Sequence, residues 1–145
     1  TPGYSGIGTT LSGNMLALAA MRACLEEVMT PENYAHMTAL AERLASGLRS
    51  EVERHRLPWT VTQIGARAEL VFSPRPLENG ADAAAAIDHT VERAIHLFLL
   101  NRNVLVTPFH NMTLVAPTTT QADVEKLVTR FGEALSALCG ESEIR

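Results

Sequence analysis

Apolar positions along this chain fall into four helical stripes and a handful of short alternating runs. Leu18, Met21, Leu25 and Val28 recur at three and four, with Ala17, Ala20 and Cys24 as a neighbouring strip, and predict a helix over 13–29. Thr30-Pro31-Glu32 then restarts the chain with an N-cap, a proline at the first helical position and an acid in the first turn. The helix it opens carries Met37, Ala41, Leu44, Leu48 and Val52 on one face and ends near Leu57-Pro58. Trp59–Ile64 is β-branched and alternating, and Ala66, Ala68, Leu70 and Phe72 alternate with Arg67, Glu69 and Val71, so two strands are predicted around a tight turn at Gly65. A loop with two prolines, 73–80, separates them from a long helix over Asp82–Arg102 with Ile87, Val91, Ile95 and Phe98 inward and Asn101 and Asn103 as terminators. Val104–Val106 reads as a short buried strand, 107–111 as a turn and Met112–Ala116 as a returning strand. Thr120-x-x-Asp123 has the form of a capping box, and Val124, Leu127, Val128, Phe131, Leu135 and Leu138 mark the helix it opens, closed by Gly140.

Strands in pairs with helices between them predict an α+β fold, an antiparallel sheet covered by helices. Composition agrees: 46% of the 145 residues are apolar and 19% charged, which places the chain among folded domains. The net charge of −4 comes from scattered acids without a basic patch, which argues against nucleic acid. Charged residues interrupt every long apolar stretch, so no membrane span is expected. Cys24 and Cys139 show no metal or redox spacing and read as small core residues of a reducing compartment, hence a cytoplasmic protein. His36, His55, His89 and His96 sit in helical segments without metal-ligand spacing and read as structural or surface residues.

The candidate chemistry lies at the head of the chain. Gly6-Ile7-Gly8-Thr9-Thr10-Leu11-Ser12-Gly13-Asn14 crowds glycines, hydroxyls and an amide ahead of a helix, a composition suited to an anion such as phosphate. A plain loop with Ser12 or Thr10 as N-cap satisfies the same residues. No Gly-Lys-Ser/Thr follows, and the spacing is not that of a dinucleotide fingerprint.

The segment Gly8-Thr9-Thr10-Leu11-Ser12-Gly13-Asn14, with the Ala/Leu/Met helix after it, resembles the Gly-Thr-Leu-Ser-Gly-Asn-Pro segment of glutamate-1-semialdehyde aminomutases and related class III pyridoxal-phosphate transaminases. The likeness continues in order through Thr30-Pro31-Glu32-Asn33, Ile64-Gly65-Ala66-Arg67, Leu100-Asn101-Arg102-Asn103-Val104 and Thr119-Thr120-x-x-Asp123-Val124, and so covers essentially the whole chain.

The resemblance implies the C-terminal part of a fold-type I enzyme. Residues 1–29 would be the end of the large cofactor domain and the connecting helix, 30–140 the C-terminal small domain, and 141–145 a frayed tail. Pyridoxal 5'-phosphate is the implied cofactor, and the implied partners are the N-terminal part of the same enzyme, a second copy in a homodimer and a small amino compound as substrate. In the family a threonine at this loop reaches across the dimer to the cofactor phosphate of the other subunit. The matching residue is Thr10, with Thr9 standing where the family has glycine. The family's cofactor-bearing lysine lies upstream of this segment; the single lysine here, Lys126, falls on the polar side of the last helix, so no catalytic residue is expected in the chain and the chain alone is expected to be inactive. Some relatives grip a substrate carboxylate with an arginine in the turn after the Val-Leu-Val-type strand. That turn here reads Thr107-Pro108-Phe109-His110-Asn111, leaving Phe109, His110 and, on the neighbouring strand, Arg67 as substrate-binding candidates beside plain packing and surface roles. Without a large domain to cover it, the first helix is expected to be disordered, rearranged or buried against another copy. The competing reading is a free-standing α+β binding or dimerisation module whose Gly/Thr loop only caps a helix.

Overall fold

A computed structural model of the chain describes residues 13–107 and 111–140. Its elements run α1 (Met15–Ala23), continued by a π-helical turn (Cys24–Val28), α2 (Pro31–Arg54), β1 (Thr60–Ile64), β2 (Arg67–Val71), α3 (Gly80–Ala85), α4 (His89–Leu100), β3 (Met112–Leu114) and α5 (Gln121–Gly140). The strands form one antiparallel sheet in the order β1-β2-β3, with Val61 opposite Leu70 and Ala68 opposite Thr113.

The period-two pattern sets which face of the sheet is buried. Val61, Ala68 and Leu70 point inward with Val115, while Thr62, Ile64 and Arg67 point out. The inner face is covered by α2 and α5, whose stripes meet through Ala41, Leu44, Leu48, Val124, Phe131 and Leu135, and Ile95 and Leu99 of α4 complete the core. The long helices pass closely at Gly47, where a Cβ would fall 2.6 Å from Val128 Cγ2. Gly65 turns the β1–β2 hairpin at φ +52°, a left-handed conformation that costs a side chain little only when there is none. This is the helix-covered antiparallel sheet that the pairing of strands predicts.

Start and stop signals hold at several helices. Thr30 Oγ1 accepts from Asn33 N–H at the head of α2. At α5, Thr120 Oγ1 accepts from Asp123 N–H while the Asp123 carboxylate accepts from both Thr120 N–H (2.9 Å) and Thr120 Oγ1–H (2.7 Å), a complete reciprocal box. Asn103, at φ +59°, ends α4 with Asn103 N–H on Leu100 O and Val104 N–H on Leu99 O, the paired bonds of a Schellman stop.

Other expectations are corrected. The helix expected over Asp82–Arg102 is broken: Asn79 caps α3, and Asp88 Oδ1 takes the N–H groups of Thr90 (3.0 Å) and Val91 (3.1 Å) to start α4 afresh. Ile87 falls in the break and is 53% exposed instead of facing inward. Val104–Val106 keeps the alternation of a strand, with Val104 buried and Leu105 78% exposed, yet pairs with no strand among the described residues. The strand expected over Met112–Ala116 is trimmed to Met112–Leu114, with one more rung where Val115 N–H reaches Ala66 O. The first helix is formed, capped by Asn14 Oδ1 on Ala17 N–H, and not disordered; its face nevertheless lies open, with Met15, Leu16, Met21 and Leu25 exposed. Cys24, expected in the core, is exposed on it.

Candidate functional site

Thr9 and Thr10, the candidate phosphate ligands, lie outside the described residues, as do Phe109 and His110. Thr107 and Asn111, the described residues on either side of 108–110, are held at two points. Thr107 Oγ1 donates to Met112 O at 3.3 Å, and Leu70 N–H donates to Asn111 O at 3.2 Å, extending the β2–β3 ladder. Thr107 and Asn111 are thereby anchored at the end of the sheet.

Arg67 stands on the outward face of β2, opposite Ile64 on one side and Leu114 on the other. Its guanidinium reaches the Glu69 carboxylate at 2.5 Å, with both side chains partly exposed. Such a pair contributes little to folding, roughly 0–1 kcal/mol, and it leaves Arg67 occupied by a neutralising partner.

The histidines are structural ties. His36 Nε2 donates to Thr119 O (2.9 Å), joining α2 to the approach of α5, and His96 Nδ1 donates to Val106 O (3.0 Å), holding the unpaired Val104–Val106 segment against α4. His55 Nδ1 donates to Glu51 O, and its Nε2 lies 2.9 Å from Ser136 Oγ on α5. His89 pairs with the buried Glu92 at 2.8 Å. No cluster of His, Cys, Asp or Glu among the described residues can hold a metal.

Sequence reasoning did not find an open cleft of about 500 Å³ between Val104–Thr107 and β3, with Leu44, Val124 and Leu127 among its lining and Asp123 and Lys126 at its polar end. The signal was present in the Val-Leu-Val run, a strand pattern with no partner. The polar groups at this end are already engaged. Lys126 Nζ donates to Asn103 O at 3.0 Å, and the Asp123 carboxyl is held below the ordinary carboxylate range by its hydrogen bonds from the Thr120 hydroxyl and backbone. The described residues therefore do not fit pyridoxal phosphate by themselves: their one lysine amine is tied to a carbonyl on an exposed helix side.

Comparison with known proteins places this geometry. No protein-family profile matches the chain. A glutamate-1-semialdehyde-aminomutase from Pseudomonas aeruginosa PAO1, known from its crystal structure, superposes on 95% of the chain with a TM-score of 0.88 and 47% identity. A β-phenylalanine aminotransferase from Variovorax paradoxus shares the fold over 90% of the chain, with a TM-score of 0.78 at 24% identity. Among curated relatives, glutamate-1-semialdehyde 2,1-aminomutase 1 of Bacillus cereus (strain G9842) is 32% identical over 130 residues, 89% of the chain.

The chain has the fold of the C-terminal domain of fold-type I, class III pyridoxal-phosphate aminotransferases. Within that class it is similar to the glutamate-1-semialdehyde aminomutases. It spans about 30% of the length of these relatives, which disfavours the reading as a free-standing module.

Proposed function

We propose that this chain is the small-domain part of a pyridoxal-phosphate-dependent transaminase or aminomutase, a homodimeric cytoplasmic enzyme that moves an amino group on a small amino compound. The observation that carries the reading is 47% identity at a TM-score of 0.88 over nearly the whole chain, to an aminomutase of which the chain spans 30%. A lysine-to-alanine variant of that aminomutase was crystallised in complex with PMP. The cofactor supplies the electron sink for labilising bonds at an amine-bearing carbon. The part of the work proposed for this chain is binding and positioning. Residues 1–29 close the large domain and lead into residues 30–140, and Thr10, with Thr9 beside it, donates to the cofactor phosphate of the facing subunit. Phe109 and His110, between the anchored Thr107 and Asn111, border the substrate. The turn has no arginine, which favours a substrate with a less acidic side chain than in relatives with an arginine there. Arg67 is a weaker candidate for a substrate carboxylate, since Glu69 already neutralises it.

The reading is tested at the phosphate. A hydrogen bond to an ionised group is worth roughly 1.5–3 kcal/mol, and Thr10→Val keeps shape and branching while removing the donor. In the intact enzyme this variant is expected to raise the cofactor dissociation constant by about tenfold to a hundredfold, and Thr9→Val to raise it less. A wild-type constant in Thr10→Val would remove this residue from the site.

A further inference from the structure

The first strand of the sheet, β1, forms an edge, and its sequence is of a kind that edges tolerate poorly. Thr60-Val61-Thr62-Gln63-Ile64 carries no charge, no proline and no glycine, and Trp59 before it adds a further strand former. Edge strands of this composition pair with other chains unless a charge, a proline or a covering element blocks them. β1 pairs with β2 on one side, and no strand among the described residues lies on the other. The register fixes which of its main-chain groups face outward. Leu70, opposite Val61, gives its N–H to Asn111 O on the β3 side, so Val61 turns its own N–H and C=O away from β2. By the same alternation Gln63 faces outward, while Thr60, Thr62 and Ile64 bond to β2.

One of these outward groups is already taken. Arg49, on α2, donates from Nε (3.3 Å) and Nη2 (3.1 Å) to Val61 O. The charge that β1 lacks therefore comes from the neighbouring helix, and it lies where the N–H of an added strand would bond. Beside it the edge is open: a recess of about 280 Å³ runs between Val52 and Glu53 of α2, Trp59 and Pro76. Arg49 thus occupies the acceptor of the edge without covering the edge.

We propose that Arg49 is an edge guard, and that the partner it excludes is β1 of a second copy of this chain. The outward pattern of β1 is self-complementary. An antiparallel copy centred on Thr62 sets Val61 of each strand opposite Gln63 of the other, so that both outward pairs exchange their bonds. Thr62, exposed on its strand, then faces its own counterpart on the two-fold axis. With no charge in either strand, nothing along β1 itself repels this pairing. Arg49 blocks it at two points at once, because the two-fold axis repeats the occupied Val61 O. The guard depends on α2 and β1 alone and not on the function proposed above.

Amide hydrogen exchange measured residue by residue, at low and high protein concentration, on the chain and on the intact enzyme, tests this. In the parent, Val61 and Gln63 N–H exchange as open amides at both concentrations, while Thr62 N–H, bonded to β2, is protected. Protection of Val61 and Gln63 in the dilute parent would overturn the proposal, since the edge would then have another cover. Arg49→Met keeps most of the side-chain stem and removes the donors. On concentration this variant slows exchange at Val61 and Gln63 at least about tenfold and leaves Thr62 unchanged. Adding Thr62→Lys sets two like charges face to face on the two-fold axis and reverses the slowing. A purely structural role for Arg49 predicts otherwise: a lower thermal midpoint, with Val61 and Gln63 open at every concentration. That result would overturn the proposal. Slowing that Thr62→Lys fails to reverse would overturn it as well, by placing the contact elsewhere. Protection at Thr62 reports that each variant is folded. Where Arg49→Met loses that protection, Arg49→Ala, with its higher helix propensity, is judged by the same outcomes.

Discussion

Asp123 shows how one residue carries both a fold signal and a measurable property. Its carboxylate closes the capping box at α5 by accepting from the Thr120 hydroxyl and backbone, and these bonds hold its carboxyl below the ordinary range. A depressed folded pKa stabilises the fold above the unfolded value of roughly 3.9, and the contribution disappears as pH falls through the lower folded value. Asp123→Asn removes the charge, so the variant and the parent should differ in thermal midpoint at neutral pH and converge in strong acid. A difference that stays constant down to acid pH would contradict this. The box was legible because its grammar is local: Thr, two residues, Asp, then an apolar stripe. Cys24 was not legible in that way. A cysteine in an Ala/Leu/Met stripe resembles a core residue whether or not a partner surface is present, and in this chain α1 meets none among the described residues. The four site candidates Thr9, Thr10, Phe109 and His110 lie outside the described residues and remain proposals carried by the family resemblance.

At the scale of elements, α2, α5 and the β1–β2 hairpin follow from periodicity because each is long or regular enough to fix its own phase. The break between α3 and α4 was missed for a physical reason. The Ala83–Ala86 tract favours helix, and Ile87, Val91 and Ile95 stay in helical phase across the gap, so periodicity runs straight through it. The competing signal was Asp88, whose short carboxylate takes the N–H groups of Thr90 and Val91 and holds its own backbone extended. Asp88→Ala is expected to cost about 1 kcal/mol, near a 4 °C fall in thermal midpoint, with Asp88→Asn close to the parent. Equal stability of the alanine variant would show that packing, not the cap, sets the start of α4. Val104–Val106 was read correctly as a strand pattern and incorrectly as a paired strand. Alternation reports which side chains face a core, and it carries no information on where the neighbouring strand comes from.

For the whole molecule, the covered and uncovered surfaces tell opposite stories. The core between sheet and helices is closed around Ala41, Ala45 and Leu135, all fully buried, whereas Met15, Leu16, Met21 and Leu25 leave α1 with an open apolar face. No helix among the described residues is long and apolar enough to cross a membrane. An apolar face of this size promotes association, so the chain alone should show concentration-dependent self-association in sedimentation or light scattering. Met21→Glu with Leu25→Lys should reduce that association without lowering the thermal midpoint, since neither side chain contributes to the core. A parent chain that stays monomeric at high concentration would remove α1 as an interaction face.

The central claim is that this fold is one part of a pyridoxal-phosphate enzyme whose cofactor-bearing lysine lies outside the chain. Borohydride reduction in the presence of pyridoxal phosphate, followed by mapping of the labelled lysine, tests it most directly on the chain and on the intact enzyme in parallel. The predicted result is stoichiometric label in the intact enzyme on a lysine preceding Thr1, with Lys126 unlabelled in both samples. Stoichiometric label on Lys126, or an intact enzyme that takes up none, would contradict the account.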